Sequence, residues 1–153
     1  MMAGLDPAYN SRQGRFPMQY LLTIYADESI FSKMSPSEQE QGMAAYMAYT
    51  QALAAAGVLK GRNRLQPAST ATTVRIVNGK SQVLDGPYIE SKEQLGGYFL
   101  IDVPDLDAAL SWAARCPGAS HGVVEVRPIW PTPHMDGGSA TVQSADLAHA
   151  GRD

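Results

Sequence analysis

The sequence predicts an α+β domain, and three observations carry that prediction. Residues 35–57 and 105–118 each hold helix start and stop signals. Each of these segments lies between short runs rich in β-branched and aromatic residues, which read as strands. Between the two halves, Asn78-Gly79 joins two more such runs and is a strong hairpin signal. At 153 residues the chain is read as one domain, with length enough to bury a core.

Met18 to Tyr25 is the first strand, apolar almost throughout, which places it at the centre of a sheet with both faces covered. In the first helix Ser35 caps, Pro36 takes the first helical position and Glu38 completes a capping box. The helix runs to about Ala56, with Gly57 as its terminator. Met43, Met47, Thr50 and Ala54 form its expected core stripe, bordered by Tyr46, Leu53 and Val58. Val58 to Leu65 is the next strand, followed by the hairpin strands 72–77 and 81–84. Gly96 to Val103 is an apolar strand, and Asp105 caps a second helix, Leu106 to Arg115. Leu106, Ala109, Leu110 and Ala113 make its apolar stripe, and Cys116-Pro117-Gly118 stops it. Val123 to Ile129 is the last strand.

The order is β-α-β, hairpin, β-α-β. Two βαβ halves in one antiparallel sheet with both helices on one face is the ferredoxin-like plan, here with an extra β-hairpin. The other sheet face has no partner in a monomer, so a homodimer packed sheet against sheet is expected. The domain spans 18–130. Residues 1–17 read as a flexible leader and 131–153 as a flexible tail, and Met18 is a second candidate translation start.

Charged residues make up 18% of the chain and the net charge is −3, with no Lys/Arg cluster, which weighs against nucleic acid or an anionic membrane as partner. No apolar run approaches the roughly 20 residues that span a bilayer. The single Cys116 cannot form an internal disulfide and fits a reducing compartment, so a cytoplasmic location is expected. Three His and one Cys lie far apart without ligand spacing, so neither a metal site nor a cofactor is expected.

The stretch from Asp85 to Phe99 is where fold-building alone does not account for the residues. Asp85-Gly86-Pro87 is a turn that leads into Glu90, Lys92 and Glu93, and Gly96-Gly97 then opens a strand. Polar groups held between a rigid turn and a strand are a common setting for binding or catalysis. Asp85 is placed either to act as a general base or to cap its own turn. Gly86 and Pro87 supply backbone freedom and a fixed φ at a ligand loop. Glu93, just before the strand, points toward a ligand or packs as a surface pair with Lys92. Gln94 closes the same loop. Tyr25, Tyr46, Tyr88 and Tyr98 line a pocket or belong to core and interface. Arg127 binds a carboxylate or covers an edge. His121, in the loop before the last strand, is the ordered chain's candidate for proton transfer near neutrality, while His134 and His149 fall in the tail.

Asp85-Gly86-Pro87-Tyr88, Lys92 to Phe99, Trp112 to Pro117 and Val124 to Ile129 together resemble the DGPF family, a branch of the YCII-related proteins. The usual fourth motif residue is Phe, where this chain has Tyr88. The resemblance covers about Met18 to Trp130 and implies a dimeric α+β barrel built from ferredoxin-like protomers. Members resemble small dimeric enzymes, and some are encoded beside sigma factors of the extracytoplasmic-function class. The wider group has a His on the first helix and an Asp near the end of the second, proposed as a catalytic pair. Those places hold Tyr46 and Cys116 here, which leaves any chemistry to the DGPF side. Two functional readings follow, beside a purely structural one in which the loop only fastens the dimer. One is cofactor-free acid/base or oxidative chemistry on a small molecule, with Asp85 as base and Glu93 or His121 assisting. The other is a non-catalytic ligand-binding or regulatory module that partners a sigma factor.

Overall fold

The computed structural model describes residues 18–131. The leader at 1–17 and nearly all of the tail, with His134 and His149, lie outside the described residues.

The described chain is an α+β arrangement. Its strands are β1 (Met18–Ala26), β2 (Leu59–Arg64), β3 (Thr72–Val77), β4 (Lys80–Asp85), β5 (Gln94–Val103) and β6 (Val123–Pro128). Its helices are α1 (Glu28–Lys33), α2 (Pro36–Ala55) and α3 (Leu106–Arg115). Four strands form one antiparallel sheet in the order β2-β5-β1-β6, compatible with a ferredoxin-like fold. The apolar β1 lies inside the sheet, as its composition predicts. β3 and β4 form a separate two-stranded sheet, turned through Asn78 at φ 50° and Gly79 at φ 77°. Two successive positive φ values are what an Asn-Gly hairpin turn requires.

Alternation along the strands sorts the sheet into two faces. Tyr20, Leu22 and Ile24 of β1 and Phe99, Ile101 and Val103 of β5 are buried with Tyr49 and Leu53 of α2 and Ala109 and Ala113 of α3. Both long helices therefore cover one face. Leu21, Thr23, Tyr25, Tyr98 and Leu100 occupy the other, which this chain leaves half-exposed.

The start and stop of α2 follow local chemistry. Ser35 Oγ accepts a hydrogen bond from Glu38 N at 3.1 Å and meets Glu38 Oε1 at 3.0 Å. At the other end Val58 N donates to Leu53 O and Gly57 N to Ala54 O, with Gly57 at φ 74°. This pair of bonds over a left-handed glycine is a Schellman stop. The buried stripe differs from the expected one. Met43 and Met47 are 57% and 60% exposed, and the core-facing positions are Tyr46, Tyr49 and Leu53. The aromatic rings decide it, because they bring more apolar area than methionine and lock onto specific neighbours. Tyr49 meets Phe99 edge-on at 5.1 Å and donates to Trp112 O at 2.7 Å, and Tyr46 stacks over Phe99 at 6.4 Å.

α1 is absent from the expected elements. Asp27 starts it by accepting from Ser29 N at 2.9 Å and Ser29 Oγ at 2.6 Å, a local cap that carries no hydrophobic period. β5 begins two residues before the expected Gly96, and β6 ends at Pro128. Leu110 of α3, assigned to the core stripe, is 47% exposed. The Gly96-Gly97 pair has a packing cause. A bulge falls here in the β1–β5 pairing, and a Cβ on Gly97 would lie 2.7 Å from Asn63 O of β2.

Candidate functional site

The register of the sheet builds the site. Tyr25 of β1 lies opposite Leu95 of β5 on one side and Val123 of β6 on the other. Two residues further out along each strand stand Asp27, Glu93 and His121. The end of β1 and the beginnings of β5 and β6 thus converge, bringing together groups 28 and 66 positions apart in the sequence. They line an open cleft of about 440 Å³, with Lys92 beside Glu93 and with Ile30 and Val123 as apolar walls.

Each group is held by its own local structure. Asp27 is fixed as the α1 cap, and the Ser29 hydroxyl and backbone N–H hold its carboxyl below the usual carboxylate range, with Lys92 and Lys33 adding to the shift. Glu93 is half-buried at the last loop position, and its carbonyl accepts from Ser91 Oγ. Gln94 ties this loop to α1: its Nε2 donates to Ser91 O at 2.8 Å and its Oε1 accepts from Glu28 N at 3.1 Å. His121 is exposed at the end of the turn Pro117–Ser120, and its N–H donates to Gly118 O. Gly122 follows it, pressed against the β1 backbone so closely that a Cβ would overlap Tyr25 O.

Of the three catalytic candidates, Glu93 and His121 share this cleft and Asp85 does not line it. Asp85 ends β4, exposed and paired with Thr72. The turn after it is fixed by Gly86 at φ 101°, whose N–H donates to Ala71 O at 2.7 Å and whose carbonyl accepts from Thr73 Oγ1 at 2.8 Å. Pro87 is half-buried, and Tyr88 is 71% exposed with Arg75 over its ring. Tyr25, Tyr98 and Arg127 belong to the open sheet face. Tyr98 Oη accepts from Asn63 Nδ2 at 2.8 Å, and Arg127 pairs with Glu125 on its own strand. The eleven candidates therefore occupy several places, and the cleft gathers two of them together with Asp27 and Lys92. Asp27 is the site residue missed from the sequence. Its signal was present, since Asp27-Glu28-Ser29 is a helix-start pattern that would have placed it at the end of β1.

Tyr46 and Cys116 are neighbours, the hydroxyl of one and the sulfur of the other both lying beside Gly118. Burial pushes both upward in pKa, and burial does the same to Tyr49. The three stay protonated at neutral pH, so the pair is a packed polar contact there. Groups with raised folded-state values stabilise fully below their ordinary values and lose that contribution as pH rises through the folded ones. Stability is therefore expected to fall above about pH 9–10, starting from the ordinary values of 9.0 for the thiol and 10.0 for the phenols. Denaturant titrations from pH 7 to 11 should show the fall, and Tyr46→Phe should flatten it.

Among the described residues no three His, Cys, Asp or Glu side chains converge to hold a metal ion, and no helix is long and apolar enough to cross a membrane.

A protein of Rhizobium meliloti (strain 1021), itself uncharacterised, is 41% identical over 114 residues, covering 73% of this chain and 92% of that protein. The YCII-related domain matches residues 18–133, which takes in the sheet, both long helices, the hairpin and every residue of the cleft. The chain belongs to the YCII-related family.

Proposed function

We propose that this protein binds a small polar organic molecule in the cleft at the ends of β1, β5 and β6, and moves a proton on it without a cofactor. The observation that carries the reading is the convergence of Glu93 and His121 on one cleft beside Lys92. A carboxylate and an imidazole that line one cleft are residue types that general acid–base catalysis uses. Lys92 offers a cation for an anionic group of the ligand, and Asp27 stays ionised at neutral pH. Asp85 serves the hairpin root in this reading, with Gly86 and Pro87 setting the turn. The working unit is a cytoplasmic homodimer whose open sheet faces, with Leu21, Tyr98 and Leu100, pack together as a barrel.

A second reading is a non-catalytic ligand-binding or regulatory module, with a sigma factor as its partner. The exposure of His121 favours it, because catalytic groups usually sit where water is excluded.

The test is a thermal-shift screen of small carboxylic acids, phenols and amides against wild type, Glu93→Gln and His121→Ala. A ligand raising the wild-type melting temperature should lose about tenfold or more in affinity in both variants. Turnover of that ligand by wild type alone favours catalysis, and binding without turnover favours the module. A ligand that stabilises all three proteins equally contradicts the assignment of the cleft.

A further inference from the structure

The cleft draws on the ends of β1, β5 and β6 and leaves the outer edge of β2 unused. β2 stands at the end of the four-stranded sheet, paired with β5 on one side only. The register says which of its backbone groups are free. Leu65 N donates to Gly96 O, and Asn63 and Gly61 follow in step opposite Tyr98 and Leu100. In an antiparallel ladder the residues between, Arg62 and Arg64, turn their N–H and C=O groups the other way. Among the described residues no strand lies on that side to pair with them. The stretch from Arg62 to Leu65 is exposed.

The same edge is cationic. Between Glu40 and Asp85 the sequence has no acidic residue and five basic ones, Lys60, Arg62, Arg64, Arg75 and Lys80, in a chain of net charge −3. These cations are not consecutive, and strand alternation is what gathers them. Arg62 and Arg64 lie opposite Phe99 and Gly97, so both side chains leave the sheet on the face that carries the helices. Arg64 is steadied there, its guanidinium 5.1 Å from the Phe31 ring of α1. Lys60, beside the irregularity in the β2–β5 pairing, adds a third charge. Among the described residues the only close ion pair is Arg127 with Glu125, so no described carboxylate neutralises the cations of β2.

We infer that the outer edge of β2 takes up an extended acidic segment of another protein, added to the sheet as a fifth strand with acidic side chains at alternate positions against Arg62 and Arg64. Two independent features choose this occupant. The free N–H and C=O groups need a partner that offers acceptors and donors in step, which a peptide backbone does and a phosphate chain does not. The guanidinium groups need carboxylates, and a strand places them at every second residue. A second copy of this chain fits less well. Two β2 edges would set cations against cations, a common device against self-pairing. None of the other strands carries two acidic residues: β1 and β3 have none, and β4, β5 and β6 have one each. Binding here does not require the cleft to be occupied.

The experiment titrates the full, isotope-labelled chain with three probes: the peptide acetyl-Thr-Glu-Val-Glu-Val-Glu-Thr-amide, its counterpart with Lys for each Glu, and a single-stranded oligothymidylate. The acidic peptide is expected to shift the amides from Gly61 to Leu65 and to slow hydrogen exchange at Arg62 and Arg64. Its midpoint should lie below about 1 mM and rise with salt. Arg62→Gln removes one charge and should raise the midpoint about threefold. Arg62→Pro also removes the outward N–H, which an edge strand tolerates, and should raise it about tenfold or more. Arg62→Glu with Arg64→Glu should prefer the lysine peptide. Circular dichroism checks that each variant folds, and if Arg62→Pro does not, the charge reversal still decides. Equal binding of the two peptides by wild type, a folded Arg62→Pro that binds as well as Arg62→Gln, tighter binding of the oligothymidylate, or no shift at β2 with about 1 mM acidic peptide would each overturn the strand addition.

Discussion

Gly122→Ala is expected to cost on the order of 3 kcal/mol or more, because the new methyl group has nowhere to go. Its Cβ would overlap the carbonyl oxygen of Tyr25 and lie 3.1 Å from the carbonyl carbon and 3.2 Å from Ala26 Cα. These are backbone atoms of the central strand, so relief requires β6 to move away from β1 where their pairing begins. The damage falls on the site as well, since Gly122 follows His121 and lines the cleft with it. A built-in comparison is Gly42→Ala. That position lies within α2 with nothing within 4 Å of its Cβ, and alanine there is expected to stabilise by up to about 1 kcal/mol. Urea unfolding of the two variants should therefore give shifts of opposite sign.

Leu53→Ala is expected to cost about 3 kcal/mol, within the range for a leucine removed from a packed core. Leu53 is fully buried, together with Leu22 and Ile101 of the sheet and Tyr49 one turn earlier on α2. The cavity left behind is walled by strand residues that cannot collapse into it without disturbing β1–β5 pairing. Met47→Ala, on the same helix at 60% exposure, should stay within about 0.5 kcal/mol. Comparable losses in both would place Met47 in a buried interface of the assembled protein and would support a partner on that side of α2.

The contrast between these two residues shows what the sequence conveyed. Helix ends were legible because their signals are local: Ser35, Pro36 and Gly57 act within a few residues of the backbone groups they satisfy. The face of α2 was not, because Met43-Met47 and Tyr46-Tyr49-Leu53 are both apolar stripes at helical spacing. Only the position of Phe99 on β5 selects between them. Asn78-Gly79 specified the hairpin turn, yet nothing local said that the hairpin would stand apart from the main sheet.

The site was legible in the same partial way. Glu93 and His121 stood out by residue type and by place next to strands, but their meeting depends on the register of β5 and β6 against β1. Asp27 escaped notice because a six-residue helix has too little periodicity to be seen, although its cap is a sequence signal. Asp85 drew attention as the head of a conspicuous motif. Gly86 and the turn's backbone bonds account for the motif's geometry.

The central claim is that a small molecule occupies the cleft at the ends of β1, β5 and β6. The most direct measurement is an amide and side-chain NMR titration of the full chain with the best ligand from the thermal-shift screen. The account predicts that the largest shifts fall on Asp27, Lys92, Glu93, His121 and Gly122, and that Glu93→Gln moves their midpoint to about tenfold or more higher ligand concentration. Shifts confined to the open sheet face around Leu21, Tyr98 and Leu100, or to the hairpin, would contradict it.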